Sequence, residues 1–237
     1  IVMMSGGIAH TAYGGVGLGY LCGFEPMLGA VLFAVTAALG IGFFRRQGSV
    51  HTDIIIALFW SFGMALGIAF IGFMPGYPPD MNSFLFGNIL SVTKAELNLM
   101  LLMSCVVVFI IVIFFNYWKA YLFDDQFATI IGIKTALLEY LLLILVALTV
   151  IVLIRLAGII LLLALLTAPA ATAALLVKKL KNRMILAGML GVFFCLTGLW
   201  ISYEANIASG ATIIILSVLS YACVYTLKIL KRNFFTK

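Results

Sequence analysis

Charge is what this chain has least of. Only 9% of its 237 residues are Asp, Glu, Lys or Arg, against about 25% in an ordinary soluble domain, so water is not its main solvent. Four cysteines, Cys22, Cys105, Cys195 and Cys223, stand singly inside apolar runs without the paired spacing of a metal site, and packing is their expected role. Ten methionines are scattered and form no thioether cluster of the kind that holds Cu(I), which demotes copper. No Gly-rich loop ending in Lys-Ser or Lys-Thr occurs, so the chain is not expected to bind ATP by itself. The start lacks both the charged leader and the cleavage pattern of a signal peptide. It opens at Ile1, and a further segment is expected to precede it.

Apolar residues fill 65% of the chain. About 20 consecutive apolar residues cross the hydrocarbon core of a bilayer, and such runs lie near 8–24, 26–44, 53–74, 97–118, 136–154, 157–176, 184–203 and 211–230. A spanning segment must satisfy its backbone polar groups internally, which leaves helices or a closed barrel. These runs are too long and too unalternating for barrel strands. The fold class is therefore all-α: a polytopic transmembrane helix bundle of about eight spans, forming a single transmembrane domain over 1–237.

Lys and Arg resist translocation, so short loops rich in them stay cytoplasmic. Arg45, Arg46, Lys119, Lys134, Lys178, Lys179, Lys181, Arg183, Lys228, Lys231, Arg232 and Lys237 all fall in one set of alternating connections. Only Lys94 and Arg155 fall in the other set, which also holds Glu25, Asp80, Glu96 and Glu204. Both ends of the chain are thus expected to be cytoplasmic. The net charge of +6 reflects this asymmetry and is no footprint of nucleic acid.

Several stretches depart from plain spans. Gly15, Gly19 and Gly23 recur every four residues along one face of the first span, which lets another helix backbone come close. Packing is one reading of them and lining a pathway the other. The connection at 75–96 carries Pro75, Pro78 and Pro79, then an apolar piece, 83–90, too short to span. That piece is expected to dip into the membrane or lie along it, covered by other helices. Tyr117, Trp118, Tyr121, Trp200 and Tyr203 fit interfacial aromatic belts. Phe123 to Lys134 forms a short amphipathic pattern ended by Gly132. From Thr167 to Arg183 an Ala-rich helix is interrupted by Pro169, where a bend is expected, and ends in a basic cluster.

Four pieces together resemble the permease subunit of ABC transporters that import zinc, manganese or iron: 83–90, Asp124 to Gly132, Ala168 to Ala173, and Ser209 to Ile213. They stand in the family's order and spacing, and the resemblance covers nearly the whole chain. It implies a type II-like ABC importer permease in a prokaryotic plasma membrane. Two copies would pair, each docking one ABC ATPase subunit inside and together sharing an extracellular or periplasmic metal-binding protein. ATP hydrolysis would reside in the partner, so this chain would be no enzyme, and the divalent metal would be cargo rather than a resident cofactor. The resemblance assigns 168–183 to the coupling region, with Pro169, Ala170, Ala173, Lys178 and Lys179 facing the ATPase. Asp124, Phe127 and Gly132 offer a second cytoplasmic contact. Family members often carry Asp-x-x-x-His at the start of the first span seen here and Asp-x-Pro before the Ser209 piece. This chain keeps His10 but has Gly6 at the acidic position, and Asn206 and Ala208 where Asp and Pro are common.

His10 has two readings: a hydrogen-bonded structural residue, or an imidazole that holds zinc or manganese in transit. Glu204 and Asn206, at an external span end, are either solvated loop residues or oxygen ligands that receive a cation. His51 beside Asp53 caps a helix or meets water, and Asp53 is an N-terminal helix charge. Arg155 is either buried near the outer surface between two closely linked spans or reaches toward headgroups along its aliphatic stem. Two rivals stand against transport. An intramembrane hydrolase would use Ser209 and His10, although Ile207 occupies the place where such a motif needs glycine. The other is a substrate-capturing membrane component of a different importer. Among cargo metals the sequence puts zinc narrowly ahead of manganese, with iron behind.

Overall fold

The computed structural model describes residues 2–48, 52–75, 84–85, 87 and 92–235. These are almost entirely helical: α1 (Val2–Cys22), α2 (Pro26–Arg46), α3 (Thr52–Gly72), α4 (Lys94–Ile113), α5 (Phe115–Phe123), α6 (Asp125–Ile130), α7 (Thr135–Leu176), α8 (Leu180–Ala205) and α9 (Ser209–Phe235). His51 and most of the 83–90 piece lie outside the described residues, as does the side chain of Arg155. The chain divides into two compact units, one of residues 1–84 with 91–156, the other of 85–90 with 157–237.

Seven helical segments among the described residues are long and apolar enough to cross a membrane: α2, α3, most of α4, the two halves of α7, α8 and α9. The eighth expected span is α1. It has the length, but its sequence is diluted by glycine, and the reason is its position. Every residue from Met4 to Gly17 is buried, because α1 is packed between α2 and α3 within the first unit. A helix shielded from lipid gains little from large apolar side chains, and small residues let backbones approach and gain dispersion contact instead. The contacts are glycine on glycine: a Cβ at Gly14 would come 2.6 Å from the Gly63 carbonyl oxygen, and one at Gly17 would come 2.7 Å from that of Gly67. Gly15 and Gly29 meet backbone to backbone, and a Cβ at Gly19 would lie 2.6 Å from Pro26 Cα. Gly23, although it continues the four-residue repeat, has nothing within 4 Å and turns the chain at φ +72° after α1.

The rest of the first unit closes through α5 and the first half of α7. Trp118 and Tyr121 of α5 pack on Leu138 and Leu145, so these two aromatics are core residues and not only interfacial anchors. Before them, Thr93 and Glu96 form a reciprocal capping box at the start of α4: the Glu96 N–H donates to Thr93 Oγ1, and the Thr93 N–H to Glu96 Oε2. Two otherwise orphaned donors are thereby satisfied.

In the second unit the core joins Ala157 and Leu161 to Ile213 of α9. Gly198 of α8 receives Ile213 so closely that a Cβ would meet its Cγ1 at 2.6 Å. The anticipated bend at Pro169 is not where the backbone breaks. Residues around Pro169 stay helical, and the interruption is at Gly158, with φ 72° and ψ 164°. That region of backbone space is open essentially to glycine alone. Residues 154 to 157, where two spans were expected to meet, thus adjoin a true break in α7.

Candidate functional site

His10 sits in the middle of α1, 7% exposed. Its Nδ1 lies 2.9 Å from the carbonyl oxygen of Gly6, one turn back. A carbonyl only accepts, so Nδ1 carries the proton and Nε2 keeps the lone pair, the tautomer that can ligate a metal. One face of the ring is stacked on Trp60 of α3, with centroids 3.8 Å apart. Thr11 ties the same helices together, its hydroxyl lying within donating distance of both the Gly7 and Phe59 carbonyls. Where the resemblance leads one to look for an acidic side chain, Gly6 supplies only its backbone oxygen. Among the described residues, no three of His, Cys, Asp and Glu gather as a metal centre would require.

Glu204 and Asn206 are both exposed at the end of α8 in the second unit. Asn206 is the helix cap and is left-handed, φ 53°, a conformation asparagine tolerates better than most residues. Ser202 Oγ donates to the Ile207 carbonyl at 2.6 Å, and the Ile207 N–H returns to the Ser202 carbonyl. This pair holds the turn into α9, whose first residue is Ser209. The geometry gives Asn206 a local backbone task independent of any ligand.

The coupling residues divide by exposure. Ala170, Lys178 and Lys179 are exposed, whereas Pro169 and Ala173 are buried within the chain. The end of α7 is stitched by two cations: Lys228 Nζ donates to the Leu175 carbonyl at 2.9 Å and Arg183 Nε to that of Val177 at 2.6 Å. Positive side chains at a helix C-terminus satisfy orphan carbonyls and meet the negative end of its dipole. In the first unit, Asp124 caps α6 by accepting from the Phe127 N–H at 2.9 Å. Gly132, φ +85°, then closes that short helix, and Phe127 is left exposed.

Sequence reasoning missed Glu139. It lies in the first turns of α7, 5% exposed, with Oε1 3.2 Å from Arg45 Nη1 and Oε2 3.2 Å from Arg46 Nη1; both are ion pairs, and Arg46 also donates a hydrogen bond whereas Oε1 accepts none. The clamp joins the end of α2 to the start of α7. A lone carboxylate inside a predicted span needs a partner, and that was the available signal. Beside it, Tyr121 is 6% exposed and its phenol interacts with Arg45. Burial first, and then the Glu139 carboxylate, push this phenol above its ordinary range.

The profile described as the ABC 3 transport family matches residues 1–228. A membrane protein of Synechocystis sp. is 39% identical over 221 residues, covering 93% of this chain and 79% of that protein. The manganese transport system membrane protein MntC of Listeria monocytogenes is 31% identical over 219 residues, covering 92% and 78%. Among solved structures, PsaBC from Streptococcus pneumoniae in complex with Fab contains a chain that superposes with a TM-score of 0.82 at 29% identity, covering 94% of this chain and 80% of that one.

Proposed function

The chain belongs to the ABC 3 transport family, and on that premise we propose that it is the permease through which an ABC importer carries a divalent metal ion, manganese ahead of zinc and iron, into a prokaryotic cell. It is a transport subunit and not an enzyme. Family membership removes the hydrolase rival built on Ser209 and His10. The observation that carries the reading is similarity along nearly the whole chain to proteins named for manganese transport, which supports placing manganese ahead of zinc. Oxygen ligands such as those of Glu204 and Asn206 suit manganese, whereas an imidazole such as that of His10 suits zinc and iron better.

In this reading the whole chain is one transmembrane domain, paired with a second copy. Arg45, Arg46 and the basic cluster at 178–183 mark the cytoplasmic side, and both ends lie there. An ATPase subunit docks on Ala170, Lys178 and Lys179, with Asp124, Phe127 and Gly132 as a second contact. An external metal-binding protein delivers the ion near Glu204, and His10 Nε2 holds it briefly in passage. Closure of the ATPases pushes on 168–183 and rotates the attached helices, exposing the path to one side and then the other.

The test is uptake of radiolabelled manganese and zinc into proteoliposomes holding the permease, its ATPase and its binding protein. ATP-dependent manganese uptake that excess zinc displaces poorly supports the assignment, and preferential zinc uptake reverses the metal. Ala170→Asp and the pair Lys178→Glu/Lys179→Glu should abolish uptake while the fold survives, because these residues are exposed. An acidic residue at Ala173 is a poor probe, since that side chain is fully buried and its loss would report packing. Undiminished uptake in the exposed variants, or a 178–183 loop that labels only from outside, would sink the proposal.

A further inference from the structure

Beside the Arg45–Glu139–Arg46 clamp lies a cavity of about 800 Å³ within the first unit. Its lining includes the carboxyl-bearing residues Asp53, Asp124 and Asp125, on a side of the chain otherwise rich in Lys and Arg. Arg45, the basic residue of the lining, is already engaged by Glu139. Asp124 spends one oxygen on its helix cap, while Asp53 and Asp125 are exposed and have no ion-pair partner among the described residues. Tyr121 also lines this space, its phenol interacting with Arg45. Phe123 of the lining is 93% exposed, and Ile130, on the neighbouring α6 and outside the lining, is 82% exposed.

We propose that this cavity receives a cationic side chain, Lys or Arg, carried on the ATPase subunit. The inference rests on the reading of this face as cytoplasmic and docked by an ATPase, and it adds Asp53, Asp125 and Phe123 to that contact. Three carboxylates outweigh a clamp in which two guanidiniums share one carboxylate, and the surplus negative charge attracts a cation. A metal ion does not fit, because the acidic groups do not gather into a ligand set, and the volume is that of a cleft for side chains rather than for one ion. Lipid is disfavoured by sign, since the inner leaflet is anionic and these carboxylates repel its headgroups. A protein segment with a positive side chain amid apolar neighbours satisfies both the carboxylates and the exposed Phe123 and Ile130. Arginine fits especially well, its donor fork being able to serve a carboxylate while its plane covers an aromatic ring.

The test measures binding of the ATPase subunit to the permease in lipid nanodiscs over a range of KCl. Wild-type affinity should fall as salt rises. In Asp53→Asn/Asp125→Asn it should be about 10-fold weaker at low salt, with a flattened salt dependence. The charge-keeping pair Asp53→Glu/Asp125→Glu should bind as wild type. Both pairs change exposed groups with no ion-pair partner among the described residues, and unaltered thermal unfolding checks that the fold is intact. Equal affinity and equal salt slope in wild type and the Asn pair overturn the proposal, as does equal loss in the Asn and Glu pairs. Increased retention of anionic lipid by the Asn pair with unchanged ATPase binding makes lipid the occupant and overturns it too. Failure of the wild type itself to bind the ATPase is a different result, because it removes the docking reading beneath the proposal.

Discussion

Replacing Gly15 by alanine adds one methyl group at the tightest place in the first unit. The new Cβ would meet the carbonyl oxygen and carbon of Gly29 and come within 2.9 Å of the Ala30 nitrogen. All three are backbone atoms of α2, so no rotamer change relieves the contact and the helices themselves must part. Overpacking of this kind costs about 1–3 kcal/mol, and a site that can only yield by moving backbone belongs at the upper end. Alanine returns up to about 1 kcal/mol through its helix propensity. The net loss is about 2 kcal/mol, and for a chain of this length each kcal/mol moves the midpoint by about 2–4 °C, so Gly15→Ala should melt about 4–8 °C below wild type. Gly188→Ala is the control: it lies in α8 with nothing within 4 Å of the added atom, and the same propensity should hold or raise its midpoint. Thermal unfolding of both variants in nanodiscs decides the matter. A Gly15→Ala midpoint that follows Gly188→Ala would refute the view that α1 is held by direct backbone approach.

Three further outcomes follow from particular residues. Glu139→Gln leaves two guanidiniums facing each other without a carboxylate, and because Arg45 and Arg46 reach water with side chains 37% exposed, the loss should be about 1–3 kcal/mol rather than the full cost of a buried charge. Arg45→Gln/Arg46→Gln should lose more, since it strands a carboxylate that is itself buried; the order of the two melting midpoints checks this. Gly158→Ala forces a side chain into φ 72°, ψ 164°, a strain of about 1–3 kcal/mol, and calorimetry should register it even though the same change inside a regular helix would stabilise. Asn206→Gly should leave stability within about 0.5 kcal/mol of wild type and Asn206→Val should lower it by about 1 kcal/mol or more, as a left-handed cap requires. Metal uptake lost in Asn206→Gly, with its melting intact, would instead mark the amide oxygen as a ligand.

What the sequence makes legible here is whatever depends on one segment and its solvent. Spans are legible because lipid asks the same thing of each of them, a run of apolar residues of fixed length, and the junction near 155 is legible because a lone arginine interrupts such a run. The α6 turn can be read from Asp124 and Gly132, since capping is a transaction between near neighbours. Pairings between distant segments are not legible. Gly29, Gly63 and Gly67 acquire their purpose only when α1 lies on them, and nothing in their own surroundings announces it. The same holds for Glu139, whose charge is written in the sequence while its two partners lie 93 and 94 positions away. The break at Gly158 is illegible for a related reason: glycine permits a conformation no other residue adopts easily, but the residue type alone does not say which glycine will use it. The site inherits this division. His10 is conspicuous as a histidine in an apolar run, but whether its imidazole is free to act depends on Gly6 and Trp60. The first accepts the hydrogen bond that Nδ1–H donates and the second covers a face of the ring, so Nε2 is the atom on which any passage of metal along α1 has to be tested.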